Sequence, residues 1–507
     1  MLEQDHSRKL SSAAVWWPVI AAALVIAALS AAVMVVRLVQ VYPHDPWESI
    51  IASDGYRVSA GLPVYTDIQT DHATHMYGPL MIYVVGLVYK LTGVHFMVGR
   101  LVALAASIWI VSALTAIYFR RLPWMFAVAG AAMLLSLNLR IHAFFALCKT
   151  DMVALGFALL ALILIFQAIE KGRWGCYPLA LVSFCLGYLT KQPAAMFTLV
   201  PLLAMLLGWW GGRRWSVATW VAAAAAPGTI VILIGAISVL NPYIHYYTFV
   251  TVSRWPMRFN VLAVSPLRLL SFSILVPVGL ALMLLVGPAL SLSDARWRWL
   301  IAACAGALPG SFLAYAKLGG GLNSFLPALV PLTVLAVVAI AAAWASARAS
   351  LPISTAQAHA FAWVMALVMI ISALNTETDS TYLLFAHGHG DRHYPRVIEH
   401  VRALKGRVVC PDDPTIPIRA LGQVGRSSWA ENDAVVSVWM PEHLQLDIMR
   451  ADYVVVVNST DRKYLKPDLL ESWGFVPAGW NGEDLGIYAL WRKEPTAPTA
   501  SPAGGGL

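Results

Sequence analysis

The chain has 507 residues, of which 59% are hydrophobic and only 12% charged, with a mean hydropathy of +0.68. That composition excludes an ordinary soluble enzyme, because apolar runs of about 20 residues recur, the length that crosses about 30 Å of hydrocarbon. The net charge of +8 does not mark a nucleic-acid binder, since the basic residues are spread over short loops and not clustered on one soluble face.

Eleven spans are predicted, near 14–36, 98–119, 123–139, 152–169, 176–190, 194–210, 217–239, 269–291, 299–315, 325–345 and 358–374. They lack the alternation of a membrane barrel, so the spanning elements are helices. The first follows Arg8 and Lys9 and is too long for a cleaved signal peptide, so it is expected to stay as an anchor. With the amino terminus inside, every inner segment is short and basic: Arg120/Arg121, Lys171/Arg173, Arg213/Arg214, Arg296/Arg298 and Arg348. This predicts a multi-pass protein of the cytoplasmic membrane with its amino terminus cytoplasmic and its C-terminal domain extracytoplasmic.

The first outer loop, 37–97, holds Asp45-Pro-Trp-Glu48. Asp at the N-cap, Pro at N1 and Glu at N3 form a capping box, worth about 1 kcal/mol. The two carboxylates also suit catalysis: the helix dipole keeps a carboxylate ionised there, and a general base must be ionised and within reach of its proton. Asp45 is nearest the end of the first span; Glu48 is the other candidate. From Pro46 to Ala60, Trp47, Ile50, Ile51 and Val58 share one face, which predicts an amphipathic helix in the headgroup layer. A second interfacial helix is expected from Pro79 to Leu91, preceded by His75 and Tyr77, which suit a structural role as well as substrate contact.

Asp151 lies in Cys148-Lys-Thr-Asp-Met at the outer start of the fourth span. It reads either as a helix cap with Lys149 snorkelling, or as a functional acid at the membrane boundary. Lys191, in Leu189-Thr-Lys-Gln-Pro193, is a snorkelling lysine or a point charge for a phosphate leaving group. The loop 241–260 adds Arg254 and Arg258 among aromatic residues; an interfacial belt explains the rings, while the arginines can flank a phosphate or diphosphate. Lys317-Leu-Gly-Gly-Gly-Leu-Asn323 is a turn whose glycines let backbone amides approach an anion.

Residues 375–493 read as a small extracytoplasmic α/β domain, with strands in Arg407-Val-Val-Cys, Asp452-Tyr-Val-Val-Val-Val and Gly486-Ile-Tyr-Ala-Leu-Trp and helices at 393–404 and 465–473. Cys410 has no cysteine partner there, so the domain must hold itself together by its own core. Asn458-Ser-Thr fits a glycosylation sequon, though one that follows a buried-looking strand, and residues 494–507 read as a disordered tail. The fold class is an α-helical multi-pass membrane protein of about 11 transmembrane helices in residues 1–374, followed by that α/β domain.

In the order and placing of Asp45-Pro-Trp-Glu48, Gly61-Leu-Pro-Val-Tyr65, Tyr77-Gly-Pro, Gly99-Arg100, Lys149-Thr-Asp151-Met, Leu189-Thr-Lys191-Gln and Lys317-Leu-Gly-Gly-Gly-Leu-Asn323, the chain resembles the GT-C superfamily of membrane glycosyltransferases. The resemblance covers about 40–345 and is to the bacterial branch related to protein O-mannosyltransferases and lipid A aminoarabinose transferases. It implies a GT-C-like fold and transfer of a hexosyl or pentosyl group, with inversion, from a polyprenyl-phosphate sugar to a lipid, glycan or protein acceptor at the outer face. It makes Asp45 or Glu48 the base, because Pro46 and Trp47 split the usual neighbouring acid pair. By the same resemblance Asp151 is the second-loop acid and Lys191 contacts the donor phosphate. Lys149, Arg254, Arg258, Lys317, Asn323, His75 and Tyr77 are further candidate substrate contacts. Some members need a divalent metal; a single acid in the second loop leans against an obligatory one, so no cofactor is required and no metal ligand is assigned. The rival readings are a lipid-linked sugar flippase, which predicts charges near the middle of the spans, and a non-catalytic envelope assembly protein.

Overall fold

The structure, a computed structural model, describes residues 13–70, 72–141, 144–271, 273–286, 294–374, 389–435, 440–457, 465–480 and 482–494. Asn458 and the tail from residue 495 lie outside the described residues. The chain is a multi-pass membrane protein. Among the described residues, eight helices are long and apolar enough to cross a membrane, or nine if one bent pair counts as a span. Trp124–Arg140 and Cys176–Thr190 are apolar helices of 17 and 15 residues. At about 1.5 Å per residue the latter covers roughly 22 Å, short of a full crossing. The predicted span at 269–291 is not one straight helix. Phe259–Ser271 and the following helix, which starts at Leu275, meet at 90°. At the break the freed Leu275 amide donates to Ser372 Oγ at 3.1 Å, so the bend leaves that group satisfied.

Two compact units emerge, and they divide the chain differently from a boundary at residue 374. One comprises Met1–Gln40, Tyr77–Tyr83 and Met97–Ala386; the other Val41–Met76, Val84–Phe96 and His387–Leu507. In the first unit, α1 (Ala13–Val39) packs on α2 (Trp124–Arg140) and α3 (Thr355–Leu374). Trp16 is fully buried there, edge-on to Phe126, Trp344 and Phe361. Leu326–Ser350 is buried on nearly all sides and forms the centre of the bundle. An all-round apolar helix has no other stable place.

Two glycines of the first unit allow contacts that a side chain would forbid. A Cβ at Gly78 would lie 2.1 Å from the Leu189 carbonyl oxygen, and one at Gly99 would lie 2.0 Å from Cys148 Sγ. The first contact lays Tyr77 against the 189–191 turn; the second seats helix Phe96–Ile117 against the turn that leads into Asp151. Arg100, fully buried one residue on, donates from Nη1 to the carbonyls of Arg37 and Gln40 at the end of the first helix. That satisfies helix-end carbonyls which hydrocarbon could not.

In the second unit, the four-stranded sheet has the order β1 (Val408–Val409), β2 (Tyr453–Val457), β4 (Tyr488–Lys493), β3 (Phe475–Pro477). β1 and β2 are parallel, and β4 pairs antiparallel with β2 and β3. The parallel pair needs a crossover, supplied by short helices between residues 415 and 449. Val409, Leu444, Ile448, Val454, Val456, Leu470, Phe475 and Trp491 form the core. The three expected strands and both expected helices are present; β3, three residues long, carries no alternation to read.

Helix Pro46–Ser59 belongs to this second unit and differs from an interfacial helix with one wet face. Glu48, Ser49, Ser53, Asp54 and Arg57 on its polar side are all buried. Gly55 and Gly86 bring it against the end of helix Leu80–Thr92, and Tyr56 Oη donates to the Gly422 carbonyl at 3.3 Å. The loop helix thus packs on Thr415–Leu421 and Ser428–Val435 of the same unit. Helix Leu80–Thr92 keeps an exposed apolar face of Leu87, Val88 and Leu91, as an interfacial element would.

The second unit also buries acids. Burial raises the Asp413 and Glu431 carboxyls and lifts Asp433 well above the ordinary range, with Thr415 hydrogen bonds opposing the shift at Asp413 and Arg426 opposing it at Glu431. An acid that holds its proton more tightly when folded adds stability below its unfolded value, near about 3.9 for Asp, and loses it as pH rises through the folded value. Thermal unfolding of the full chain is therefore expected to show stability falling from roughly pH 4 upward, and Asp433→Asn to flatten that fall. An unchanged pH profile in the variant would contradict this.

Candidate active site

Asp151 begins helix Asp151–Lys171, where an acid complements the helix dipole. Its Oδ1 accepts from Lys191 Nζ at 2.7 Å and from Asn323 Nδ2 at 2.9 Å, while Oδ2 is buried without a hydrogen-bond partner. The three residues come from three separate turns, 40 and 172 positions from the acid. Lys191 is delivered by the abrupt end of helix Cys176–Thr190, whose next residue turns extended ahead of Pro193. Its Nζ also lies 4.5 Å from the centre of the Tyr77 ring, a cation–π distance. Gln192 next to it donates to the Thr248 carbonyl at 2.8 Å, tying the turn to the 241–254 segment.

A second group of cations gathers at 252–258. Lys317 Nζ donates to the Val252 carbonyl, and Arg258 Nη2 donates to the Lys317 carbonyl at 3.2 Å. The Met257 and Lys317 backbones form an isolated bridge, which fixes the glycine turn against this loop. Neither cation makes an ion pair with a described residue, and Arg258 Nε is buried without a partner. Burial lowers the Lys317 ammonium below its usual value. Arg254 lies over the Tyr246 ring at 5.7 Å, and Lys149 over Phe144 at 4.3 Å. Asp151, Lys191, Asn323 and Tyr77 thus converge; Arg258 and Lys317 form a pair of their own; Lys149 and Arg254 lie over aromatic rings.

The remaining candidates belong to the second unit. Asp45 caps helix Pro46–Ser59 through Oδ1, which accepts from the Trp47 and Glu48 amides at 3.0 and 3.3 Å. Glu48 Oε2 returns to the His44 amide at 2.8 Å. The Asp45 half of the expected capping box is present, but Glu48 reaches the amide one residue before the cap, and the two acids differ. Glu48 is fully buried, whereas Asp45 is partly exposed. His75 is fully buried, with Nδ1 3.5 Å from Asp54 Oδ2. Asp54 also takes His72 Nε2 at 2.9 Å and Thr74 Oγ1 at 2.5 Å. Sequence reasoning missed this cluster, because Asp54 reads as one polar position on an amphipathic helix; two histidines flanking a threonine in His72-Ala-Thr-His75 were the available signal. Among the described residues, no three His, Cys, Asp or Glu side chains form a group that could hold a metal.

Residues 71–239, which contain Tyr77, Asp151 and Lys191, match the dolichyl-phosphate-mannose-protein mannosyltransferase family profile. No curated protein matches the chain. Among solved structures it is similar to ArnT from Cupriavidus metallidurans bound to undecaprenyl phosphate, at 14% identity and a TM-score of 0.56 over 93% of this chain and 99% of that one. The apo state of the same protein gives 15% identity and a TM-score of 0.57 over 96% and 100%. The chain therefore shares the fold of that ArnT structure along nearly its whole length.

Asp151 and Lys191 are each at least 88% buried at the side chain, given exposures of 7% and 12%. Removing one member of such a pair strands the other charge, a loss of about 3–5 kcal/mol. Lys191→Met is expected to lower thermal stability in detergent more than Lys191→Met combined with Asp151→Asn. Additive losses in the double variant would show that the pair does not couple.

Proposed function

We propose that this protein transfers a sugar from a polyprenyl-phosphate donor to an acceptor hydroxyl, at the extracytoplasmic face of the cytoplasmic membrane and with inversion. The observation that carries the reading is the Asp151–Lys191–Asn323 centre, a lysine ammonium held by an acid at a helix terminus, with the same acid oxygen also taking an amide donor. Support comes from the family match over 71–239 and from the similarity to a structure that binds undecaprenyl phosphate.

Lys191 holds the donor phosphate and stabilises the charge that develops on it as the glycosidic bond breaks. The lipid phosphate leaves as a stable anion, so it needs a fixed cation more than a proton. Asp151 fixes the Lys191 ammonium before substrate arrives, and Asn323 holds Asp151 in place for it; Tyr77 presents a ring face to the same cation. Arg258 and Lys317 add positive charge for the same phosphate. Asp45 takes the acceptor proton as the hydroxyl oxygen attacks the anomeric carbon, being the less buried of the two first-loop acids. The buried Glu48 positions Asp45 by completing the cap. One displacement on the face opposite the leaving phosphate inverts the anomeric centre. Since Lys191 supplies the charge that a metal would otherwise provide, turnover does not depend on a divalent ion. A flippase reading finds less support, because the charges described lie at helix ends and not at their middles.

The test is transfer of radiolabelled sugar from polyprenyl-phosphate sugars by the purified full chain. Asp45→Asn is expected to cut kcat by on the order of a hundredfold or more, the usual loss of a general base. Glu48→Gln should lower thermal stability more than it lowers kcat. Activity should survive a chelator. Full turnover by Asp45→Asn, or abolition by the chelator, would overturn these assignments.

A further inference from the structure

The first unit contains a cavity of about 310 Å³ between helices Phe96–Ile117, Asp151–Lys171, Ala295–Ala316 and Leu326–Ser350. Its shaft is apolar, lined among others by Leu155, Leu159, Phe166 and Trp299. Arg121, Lys171 and Arg296 also line it, and no acid does. All three sit at the end of the bundle opposite Asp151. Along Asp151–Lys171, the lining from Lys171 to Leu155 extends over about 24 Å at 1.5 Å per residue.

The charges at this end are sorted into two sets. Glu170 takes Arg298 Nη2 at 2.9 Å, Trp299 Nε1 at 3.0 Å and Arg213 Nη1 at 2.7 Å, a network in which Glu170 and Arg298 are buried and Arg213 is partly exposed. Arg121, Lys171 and Arg296 are left out of it, and none makes an ion pair with a described residue. Asp294 is the nearby acid, and its Oδ1 accepts from the Arg296 amide at 2.9 Å, as a helix cap. Lys171 in a last helical turn complements the dipole, but Arg296 in a first turn opposes it, so helix stability does not explain that cation.

A long apolar shaft with three unmatched cations at one mouth fits one kind of ligand. A soluble anion would leave the shaft empty, and a neutral hydrocarbon would leave the cations unmatched. We propose that this cavity binds an anionic glycerophospholipid, its phosphate against Arg121, Lys171 and Arg296 and one acyl chain in the shaft. The chain then runs to within one turn of Asp151 and braces the helix that carries it.

Delipidated full-length protein is titrated with phosphatidylglycerol, phosphatidylcholine and inorganic phosphate, and binding is read by native mass spectrometry. The expected result is a preference for phosphatidylglycerol over phosphatidylcholine on the order of tenfold to a hundredfold, as neutralisation of several cations near a membrane supplies. The triple variant Arg121→Gln, Lys171→Gln, Arg296→Gln should lose that preference with its fold intact. Leu159→Trp, which fills the shaft and spares the cations, should weaken phosphatidylglycerol binding; Arg173→Gln, outside the cavity, should not. Retention of the preference by the triple variant overturns the proposal, as does unchanged binding by Leu159→Trp, which would mean surface attraction alone. Competition by inorganic phosphate, or displacement by undecaprenyl phosphate that ignores the three cations, overturns it as well.

Discussion

A single ion pair, Lys191 on Asp151, organises the polar end of the helical bundle. Neither charge is stable alone in a setting this dry, and their attraction is secure only with further hydrogen bonding, which Asn323 provides. The pair therefore demands that turns far apart in sequence arrive together. The bundle meets that demand with close backbone approaches, at Gly78 on Leu189 and Gly99 on Cys148, where any larger residue would push the turns apart. Short motifs that look degenerate in sequence become packing requirements in three dimensions.

The second unit solves the opposite problem. Its loop helix, Pro46–Ser59, is polar on one side, yet that side faces inward. Asp54 is satisfied by His72, Thr74 and His75, and the Arg57 Nε donates to the Pro63 carbonyl at 2.8 Å. Glu48 is fully buried inside the cap while Asp45 is partly exposed. A buried polar network of this kind fixes one orientation of the helix, and hence of Asp45 at its start.

Much of this was legible in the residues. Apolar run length located the helices, because in lipid only a helix satisfies its own backbone. Valine-rich strands such as Tyr453–Val457 and the Asp45/Glu48 cap were equally plain. Asp151 and Lys191 could be named as candidates, but their pairing could not, since nothing local links positions 40 apart. Asn323 was visible only as the end of a glycine turn. The right-angle bend before Leu275 escaped because a run of apolar residues does not record direction. The inward polar face of Pro46–Ser59 escaped too, because an amphipathic pattern says which faces differ and not what covers them.

The account stands on Lys191 as the seat of the lipid phosphate. A cryo-EM structure of the full chain with undecaprenyl phosphate tests that directly. The phosphate is expected within hydrogen-bond distance of Lys191 Nζ, with the ammonium and the Asn323 amide still both donating to Asp151. A phosphate seated elsewhere, with Lys191 untouched on Asp151, would contradict it.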